Sequence, residues 1–121
     1  MIETTVLNYM AGAIGDSIPV LMEIPEVPSE DFPEFPEKLV TIELVGKRAT
    51  NHVYAASIAF QSYANSLCEA AELDAAVRAA VDAMPDLPEI GAVRLASNYN
   101  FTDTRTKRYR YQCVYDIYYI E

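Results

Sequence analysis

Apolar positions recur at a helical spacing near the start of the chain, and they are Ile2, Val6, Tyr9, Met10 and Ala13. Because residues three or four apart lie on one face of a helix, this pattern predicts a short helix over residues 2–11. Gly12 and Gly15 favour its end. An apolar run over residues 20–24 then follows Pro19 and predicts a strand.

Alternation of apolar and polar side chains predicts a hairpin in the next part of the chain. Residues 38–46 alternate with the period of a strand that buries one face. A second strand is predicted over residues 53–62, with residues 46–48 and Asn51 in the turn that joins the two.

A second helix is predicted to begin after Ser66. The sequence from Ser66 to Glu69 has the capping-box form, in which the serine oxygen accepts a hydrogen bond from a free amide of the first turn. An alanine-rich apolar stripe continues to Met84, and Pro85 ends the pattern. The positions predicted to face solvent are Glu72, Arg78 and Asp82.

Two more strands are predicted after this helix, over residues 90–99 and 107–120, with a polar turn at residues 100–106. The order of elements is therefore α-β-β-β-α-β-β. Hairpin-ordered strands with one long helix between them indicate an α+β fold. We expect a mixed or antiparallel sheet of about five strands, with both helices packed on one face. The length of 121 residues predicts one domain, residues 1–121.

Residues 25–37 interrupt this regular pattern and are called the acidic arm below. The arm has prolines at positions 25, 28, 33 and 36 among many acidic side chains. Since prolines at that density break both helices and strand ladders, we predict an extended loop. Such a long connection is typical of a functional loop or of a disordered one.

The formal charge of −9 is unevenly distributed along the chain. The acidic side chains of the arm and its flank are Glu23, Glu26, Glu30, Asp31, Glu34 and Glu37. A basic cluster lies near the C-terminus and consists of Arg105, Lys107, Arg108 and Arg110. Because opposite charges on separate surfaces favour association, we predict that one subunit's arm docks near the basic cluster of its neighbour in a head-to-tail ring. The arm residues assigned to this interface are Glu30, Asp31, Phe32, Glu34 and Phe35.

The composition argues against several classes of protein. The chain is 51% hydrophobic and 22% charged, which is typical of a globular protein. It has no apolar run near the ~20 residues that a membrane helix needs, and its start does not have the form of a signal peptide. The strongly negative charge argues against general affinity for nucleic acid. Cys68 and Cys113 are expected to be buried and reduced, as in the cytoplasm.

Few side chains are candidates for catalysis. His52 is the only histidine and lies near a predicted turn with no nucleophile motif beside it. Its spacing from Cys68 and Cys113 does not match a structural zinc site, and the four glycines form no phosphate-binding motif. Paired carboxylates such as Glu69 and Glu72 are expected in so acidic a chain. We therefore expect no catalytic site, metal or cofactor. A small hydrolase using His52 with an acidic partner is the enzyme alternative.

The last predicted strand has an aromatic-rich face formed by Tyr109, Tyr111, Cys113, Tyr115, Ile117 and Tyr119. One interpretation is a core face whose phenol groups reach its rim. The other is a stacking platform for single-stranded nucleic acid, assisted by the nearby arginines. The negative charge of the chain favours the first. The opposite face is mixed and is available to a partner, and it consists of Arg108, Arg110, Gln112, Val114, Asp116, Tyr118 and Ile120.

Four segments together resemble a known family. They are Ala-Ser-Ile-Ala-Phe-Gln-Ser-Tyr-Ala at 56–64, Glu-Ala-Ala-Glu-Leu at 69–73, Ser-Asn-Tyr-Asn-Phe-Thr-Asp-Thr at 97–104, and Tyr-Arg-Tyr-Gln at 109–112. With them, nearly the whole chain is similar to the small tail terminator proteins (also called tail-completion or minor capsid proteins) of long-tailed phages and prophages of Gram-positive bacteria. The shared motifs are structural patterns and include no catalytic signature.

The resemblance implies an α+β subunit of a hexameric ring that caps the tail tube at its full length and offers a surface to the head. The implied partners are further copies of itself, the tail-tube protein and the head-tail connector protein, with no active site and no membrane. A negative lumen would let DNA pass without specific binding. The expected location is the bacterial host cytoplasm during assembly and the tail end of the mature virion. The alternatives are a head-closure or connector adaptor of the same virion and a small single-stranded nucleic-acid-binding module.

Overall fold

The computed structural model describes residues 1–103 and 108–120, which form two α-helices and a five-stranded mixed sheet. The helices are α1, Ile2–Ile14, and α2, Leu67–Asp82. The strands are β1, Val20–Leu21; β2, Leu39–Thr50; β3, Val53–Ala64; β4, Ile90–Asn100; and β5, Tyr109–Tyr119. A short 3₁₀ helix, Met84–Asp86, follows α2. The predicted α+β class and the predicted order of elements are confirmed.

The strands lie in the order β1-β2-β3-β5-β4. β1 runs parallel to β2, with Val20 opposite Val40, whereas the other neighbouring pairs are antiparallel. β5 inserts between β3 and β4, so that β3 and β5 form the centre of the sheet. β1 is shorter than the predicted strand, because only two of its residues pair with β2 before the chain turns into the acidic arm.

The hairpin between β2 and β3 extends further than predicted. Both strands continue to a two-residue turn at Asn51 and His52, whose φ angles are 51° and 66°. Positive φ at both central residues gives a turn whose twist matches that of the paired strands. The predicted turn at residues 46–48 is wrong. Gly46 lies within β2 at a register shift after Leu44, and this bulge lets the strand continue.

Both helices pack on one face of the sheet and enclose the hydrophobic core. Its largest buried side chains are Val6, Met10, Val40, Ile42, Ile58, Phe60, Val77, Val81, Met84, Tyr115 and Ile117. The hydroxyl of Tyr9 in α1 also donates a 2.7 Å hydrogen bond to the carbonyl of Ala80 in α2, which ties the two helices together. The core interpretation of the last strand is confirmed where β5 is buried, at Cys113, Tyr115, Ile117 and Tyr119.

α2 is positioned by a cap and by a buried carboxylate. The predicted cap is present, because Ser66 Oγ accepts a 3.2 Å hydrogen bond from the amide of Glu69. Asp74 is 1% exposed and accepts hydrogen bonds from Arg78 Nε at 2.9 Å and from Asn98 Nδ2 at 3.0 and 3.1 Å. Since a buried carboxylate is costly without such partners, these bonds fix α2 over β4.

The two cysteines differ in exposure. Cys113 is buried beneath α2, as predicted, and burial raises its pKa to about 12. The predicted burial of Cys68 is wrong. It lies on the outer side of α2, because position 68 points away from the stripe that begins at Ala70. Its thiol donates a hydrogen bond to Glu72 at 3.5 Å, and that carboxylate raises the pKa of Cys68.

Among the described residues, neither helix is both long and apolar enough to cross a membrane.

Candidate interaction surface

The face of the sheet that points away from α1 and α2 is called the open face here. Successive side chains of a strand point to opposite sides, so residues alternating with the core positions reach this face. Its described positions include Leu39, Thr41, Glu43, Arg48, Ala55, Ser57, Ala59, Gln61, Tyr63, Ala92, Arg94, Ser97, Tyr99, Arg108, Arg110, Gln112, Val114, Asp116 and Tyr118. Small side chains occupy the middle of β3, whereas arginines and aromatic rings surround them.

A row of hydrogen bonds crosses four strands of the open face. Thr41 Oγ1 donates to Gln61 Oε1 at 2.8 Å, and Gln61 Nε2 donates to Gln112 Oε1 at 2.8 Å. Gln112 Nε2 then donates to the hydroxyl of Tyr99. Because Thr41 and Gln112 are buried, these bonds satisfy polar groups that water cannot reach and hold each amide in one orientation.

A second polar row joins β3, β5 and β4. Asp116 is 8% exposed and accepts hydrogen bonds from Ser57 Oγ at 2.7 Å and from Arg94 Nη2 at 3.0 Å. These two hydrogen bonds hold the pKa of Asp116 below its usual range, and the bond from Ser57 has the larger effect. The Arg94 side chain is 69% exposed. The guanidinium group of Arg94 is therefore exposed at the surface, whereas the carboxylate of Asp116 lies beneath it.

Arginines and aromatic rings form a cluster at one end of the open face, called the arginine–aromatic cluster below. Its members are Phe35, Tyr63, Phe101, Arg108 and Arg110. The Arg110 guanidinium lies 4.2 Å from the centroid of the Phe101 ring and 5.5 Å from that of Tyr63. Arg110 also donates hydrogen bonds to the Tyr63 hydroxyl at 3.0 Å and to the Phe101 carbonyl at 2.9 Å. These contacts hold its charge in a fixed position.

The acidic arm contributes Phe35 to this cluster. The Arg108 guanidinium lies 4.1 Å from the centroid of the Phe35 ring, and the rings of Phe35 and Tyr63 meet edge to face at 5.9 Å. The arm therefore contacts the basic cluster of its own chain. The predicted contact with the basic cluster of a neighbouring subunit stays a prediction.

The other predicted interface residues fall into three groups. Phe32 is half-buried, and its amide donates a hydrogen bond to Ser29 Oγ at 3.1 Å, which closes a local turn in the arm. The carboxylates of the arm interface are exposed, and they are Glu30, Asp31 and Glu34. Arg105 and Lys107 lie outside the described residues.

A cleft of about 290 Å³ lies between residues 22–24, which precede the arm, and the open face. Its walls are formed by Met22, Glu23, Ile24, Thr41, Glu43, Gln61, Tyr63 and Arg110. Because Phe35 packs against Tyr63, the arm lies over the end of the open face that carries Tyr63. At the other end, Arg48 and Arg94 are exposed to solvent.

The groups considered for catalysis are not brought together in the described part of the chain. His52 is exposed in the hairpin turn and borders a cavity of about 220 Å³ whose other walls are Val53, Gly91, Tyr118, Tyr119 and Ile120. These residues provide no acidic partner of the kind that the hydrolase alternative needs. Within residues 1–103 and 108–120, no three His, Cys, Asp or Glu side chains are grouped so that they could bind a metal ion.

Two features of the surface were not predicted from the sequence. Phe101, which directly follows β4, contacts Arg110 of β5 and packs edge to face against Tyr99, and only the register between β4 and β5 reveals this. The outer side of α2 is acidic and rich in alanine, and Arg78, predicted to face solvent, is partly buried in an ion pair with Asp74. The helical spacing of Asp74 and Arg78, four residues apart, was the available signal.

Comparison with models of known protein families finds no match to this sequence, and a search of curated proteins also finds none.

Proposed function

We propose that this protein is a ring-forming virion assembly subunit that caps the tail tube of a long-tailed phage or prophage and offers a surface for head attachment. The observation that carries the proposal is the separation of charge between two surfaces. The open face presents arginines, whereas the acidic arm and the outer side of α2 present carboxylates. Subunits with complementary surfaces associate head to tail, and such contacts generate rings.

The positions of the resembling segments support the same proposal. The segment at 56–64 lies in β3, the segment at 97–104 includes the end of β4, and the segment at 109–112 begins β5. In space these segments meet, since Tyr63, Phe101 and Arg110 belong to one cluster and Gln61, Gln112 and Tyr99 to one hydrogen-bonded row. Three of the four resembling segments therefore converge on the open face, and the fourth, residues 69–73, lies in α2.

The net charge fits a ring through which DNA passes. A chain with a formal charge of −9 gives a multimer a strongly negative surface. Negative walls repel the phosphate backbone and prevent adhesion of the passing DNA.

Self-association and tube capping test the proposal directly. Light scattering coupled to size exclusion should give a mass that is a fixed multiple of the 13.5 kDa chain. When the protein is added to polymerising tail-tube protein, electron microscopy should show tubes that stop growing and carry the protein at one end. Tubes of unchanged length that do not carry the protein would contradict the proposal.

The arginine–aromatic cluster provides a variant for the same assay. Arg108→Glu combined with Arg110→Glu should reduce the assembled mass, because it places carboxylates where the arm supplies acidic groups. Circular dichroism must first show that the variant folds, since both arginines contact aromatic rings of their own chain. A folded variant with the mass of the wild type would exclude these two arginines from the interface.

The alternative roles give different results in binding assays. A head-closure or connector adaptor should retain connector protein and not tail-tube protein in a pull-down. The arginine–aromatic cluster is also the observation that favours a single-strand-binding module, because arginines beside exposed rings suit stacked bases. A gel shift of single-stranded DNA that weakens steeply with salt would support that module instead.

A further inference from the structure

The open face has a basic part that the arm does not cover. Arg48 on β2 is exposed, and its guanidinium lies 6.0 Å from the centroid of the Tyr118 ring. Arg94 on β4 is also exposed and neutralises the carboxylate of Asp116 beneath it. Between the two arginines lie the small side chains of Ala55 and Ser57 on β3 and the partly exposed ring of Tyr118 on β5. This part of the face suits an element that combines small side chains with carboxylates.

α2 presents such a combination on its outer side. Its exposed residues are Leu67 at the first turn and then Cys68, Glu69, Glu72, Ala75, Ala76, Ala79 and Asp82. Arg78, the one basic residue in the sequence of α2, is engaged by the buried Asp74. The outer side of α2 is therefore acidic, with alanines that allow a close approach.

α1 does not offer the same complementarity. Its one charged residue is Glu3, which forms a 3.0 Å ion pair with Lys47 of its own chain. The arm is acidic but is held by Phe35 at the other end of the open face. α2 carries three exposed carboxylates, Glu69, Glu72 and Asp82, of which Asp82 accepts a 2.9 Å hydrogen bond from the Tyr115 hydroxyl of its own sheet. Glu69 and Glu72 remain directed to the outer side, so α2 is the element that best matches the uncovered part of the open face.

We propose that the outer side of α2 in one copy packs on the uncovered part of the open face in the next copy, with its carboxylates toward Arg48 and Arg94. The occupant is a second copy of this chain, and the inference rests on the proposed ring. Because α2 and the open face lie on opposite sides of the sheet, the contact is head to tail. Because each copy uses both surfaces, every added copy can bind another, and the assembly becomes a ring when the last copy binds the first.

A pair of charge reversals at exposed positions tests the contact. Arg48→Glu alters the open face and Glu72→Lys alters α2, and each variant alone juxtaposes like charges across the contact. Each should weaken self-association by roughly tenfold or more in sedimentation experiments. Asp16→Lys, in the exposed loop after α1, makes the same two-unit charge change as Glu72→Lys and should associate like the wild type.

Mixing the two variants should restore assembly. The acidic open face of Arg48→Glu then meets the basic α2 of Glu72→Lys, while the two unaltered surfaces form the native pair. Native mass spectrometry should show equal numbers of both variants in each assembly, which therefore contains an even number of subunits. Unequal proportions or no rescue would overturn the inference.

The remaining outcomes separate this inference from the proposed function. If Glu72→Lys associates like the wild type while Arg48→Glu does not, another element such as the arm occupies the open face and the inference is wrong. If neither variant affects a wild-type protein that forms rings, the inference fails while the ring stands. If the wild type is monomeric at every concentration, the proposed contact and the proposed ring are both wrong. The length of the tail tubes is then the remaining test of tube capping.

Discussion

A single carboxylate explains how α2 keeps its orientation on the sheet. Asp74 is buried at the interface between α2 and β4, yet its charge is balanced by Arg78 on its own helix and by the amide of Asn98 on β4. Apolar packing between a helix and a sheet is not directional, whereas these hydrogen bonds allow one rotation of the helix. That rotation turns Glu72 to the outer side of α2.

We predict that Asp74→Ala destabilises the protein by about 2 kcal/mol in urea denaturation, because it leaves the Asn98 amide and the partly exposed Arg78 without their acceptor. Glu72→Ala, which removes an exposed carboxylate from the same helix, should change the free energy of unfolding by less than about 0.5 kcal/mol. Equal losses in the two variants would show that Asp74 does not anchor the helix.

At the scale of elements, the acidic arm is a loop that one aromatic anchor, Phe35, holds against the open face. The arm leaves the sheet at the end of β1 and returns at the start of β2, and these two strands pair with each other. Both ends of the arm are therefore fixed, while Phe35 binds the Arg108 guanidinium and the Tyr63 ring. Its exposed carboxylates remain available to another molecule.

We predict that removal of this anchor releases the arm. Phe35→Ala and Arg108→Ala should each increase cleavage by a Glu-specific protease within residues 26–37 roughly fivefold, the effect of losing about 1 kcal/mol of cation–π attraction. Arg48→Ala removes an arginine near another aromatic ring of the open face and should leave the rate unchanged. The same increase in all three variants would contradict a specific anchor.

Dilution distinguishes contact within one chain from contact between chains. If Phe35 binds Arg108 of its own chain, as in this fold, the cleavage rate per molecule is independent of protein concentration. If the arm docks on a neighbour, as the charge pattern predicted, the arm becomes easier to cleave as the protein is diluted. This measurement tests the predicted intersubunit docking of Glu30, Asp31 and Glu34.

Periodicity predicted the helices and strands well, but it did not predict the contacts and the register between them. The helical and alternating patterns located both helices and all five strands, because those patterns are local. The hairpin turn was predicted correctly at Asn51 and wrongly at residues 46–48, since a bulge at Gly46 and the positive φ angles at Asn51 and His52 depend on pairing between strands. The candidate surface was partly predicted, through the mixed face of the last strand. The contacts of Arg110 with Tyr63 and Phe101 depend on register and could not be predicted.

For the whole molecule, the sheet separates two surfaces of opposite character. Arginines lie on the open face, and carboxylates lie on the outer side of α2. Copies with a charge of −9 repel each other at long range, but salt screens that repulsion beyond about 8 Å at physiological ionic strength. Complementary groups in contact act at shorter distances, so association depends on the arrangement of charge more than on its sum.

Cys68 provides a reporter for this arrangement, because it lies on the outer side of α2 one turn before Glu72. We predict that iodoacetamide labels Cys68 in dilute protein and labels it roughly tenfold more slowly at a concentration where nine-tenths of the chains are assembled. Labelling is best done at mildly alkaline pH, because Glu72 raises the pKa of this thiol and only the thiolate reacts. Cys113 should stay unlabelled in both states, since it is buried with a pKa of about 12.

A thiol introduced elsewhere on the surface provides the control for that experiment. Asp16→Cys in a Cys68→Ser background places this thiol in the exposed loop after α1, away from both proposed surfaces. Its labelling should be the same in dilute and concentrated protein. If Cys68 stays equally reactive after assembly, the start of α2 faces solvent in the ring and another surface joins the subunits. Protection of Cys68, together with unchanged labelling of the introduced thiol in the control variant, places the contact on the outer side of α2, where the carboxylates lie.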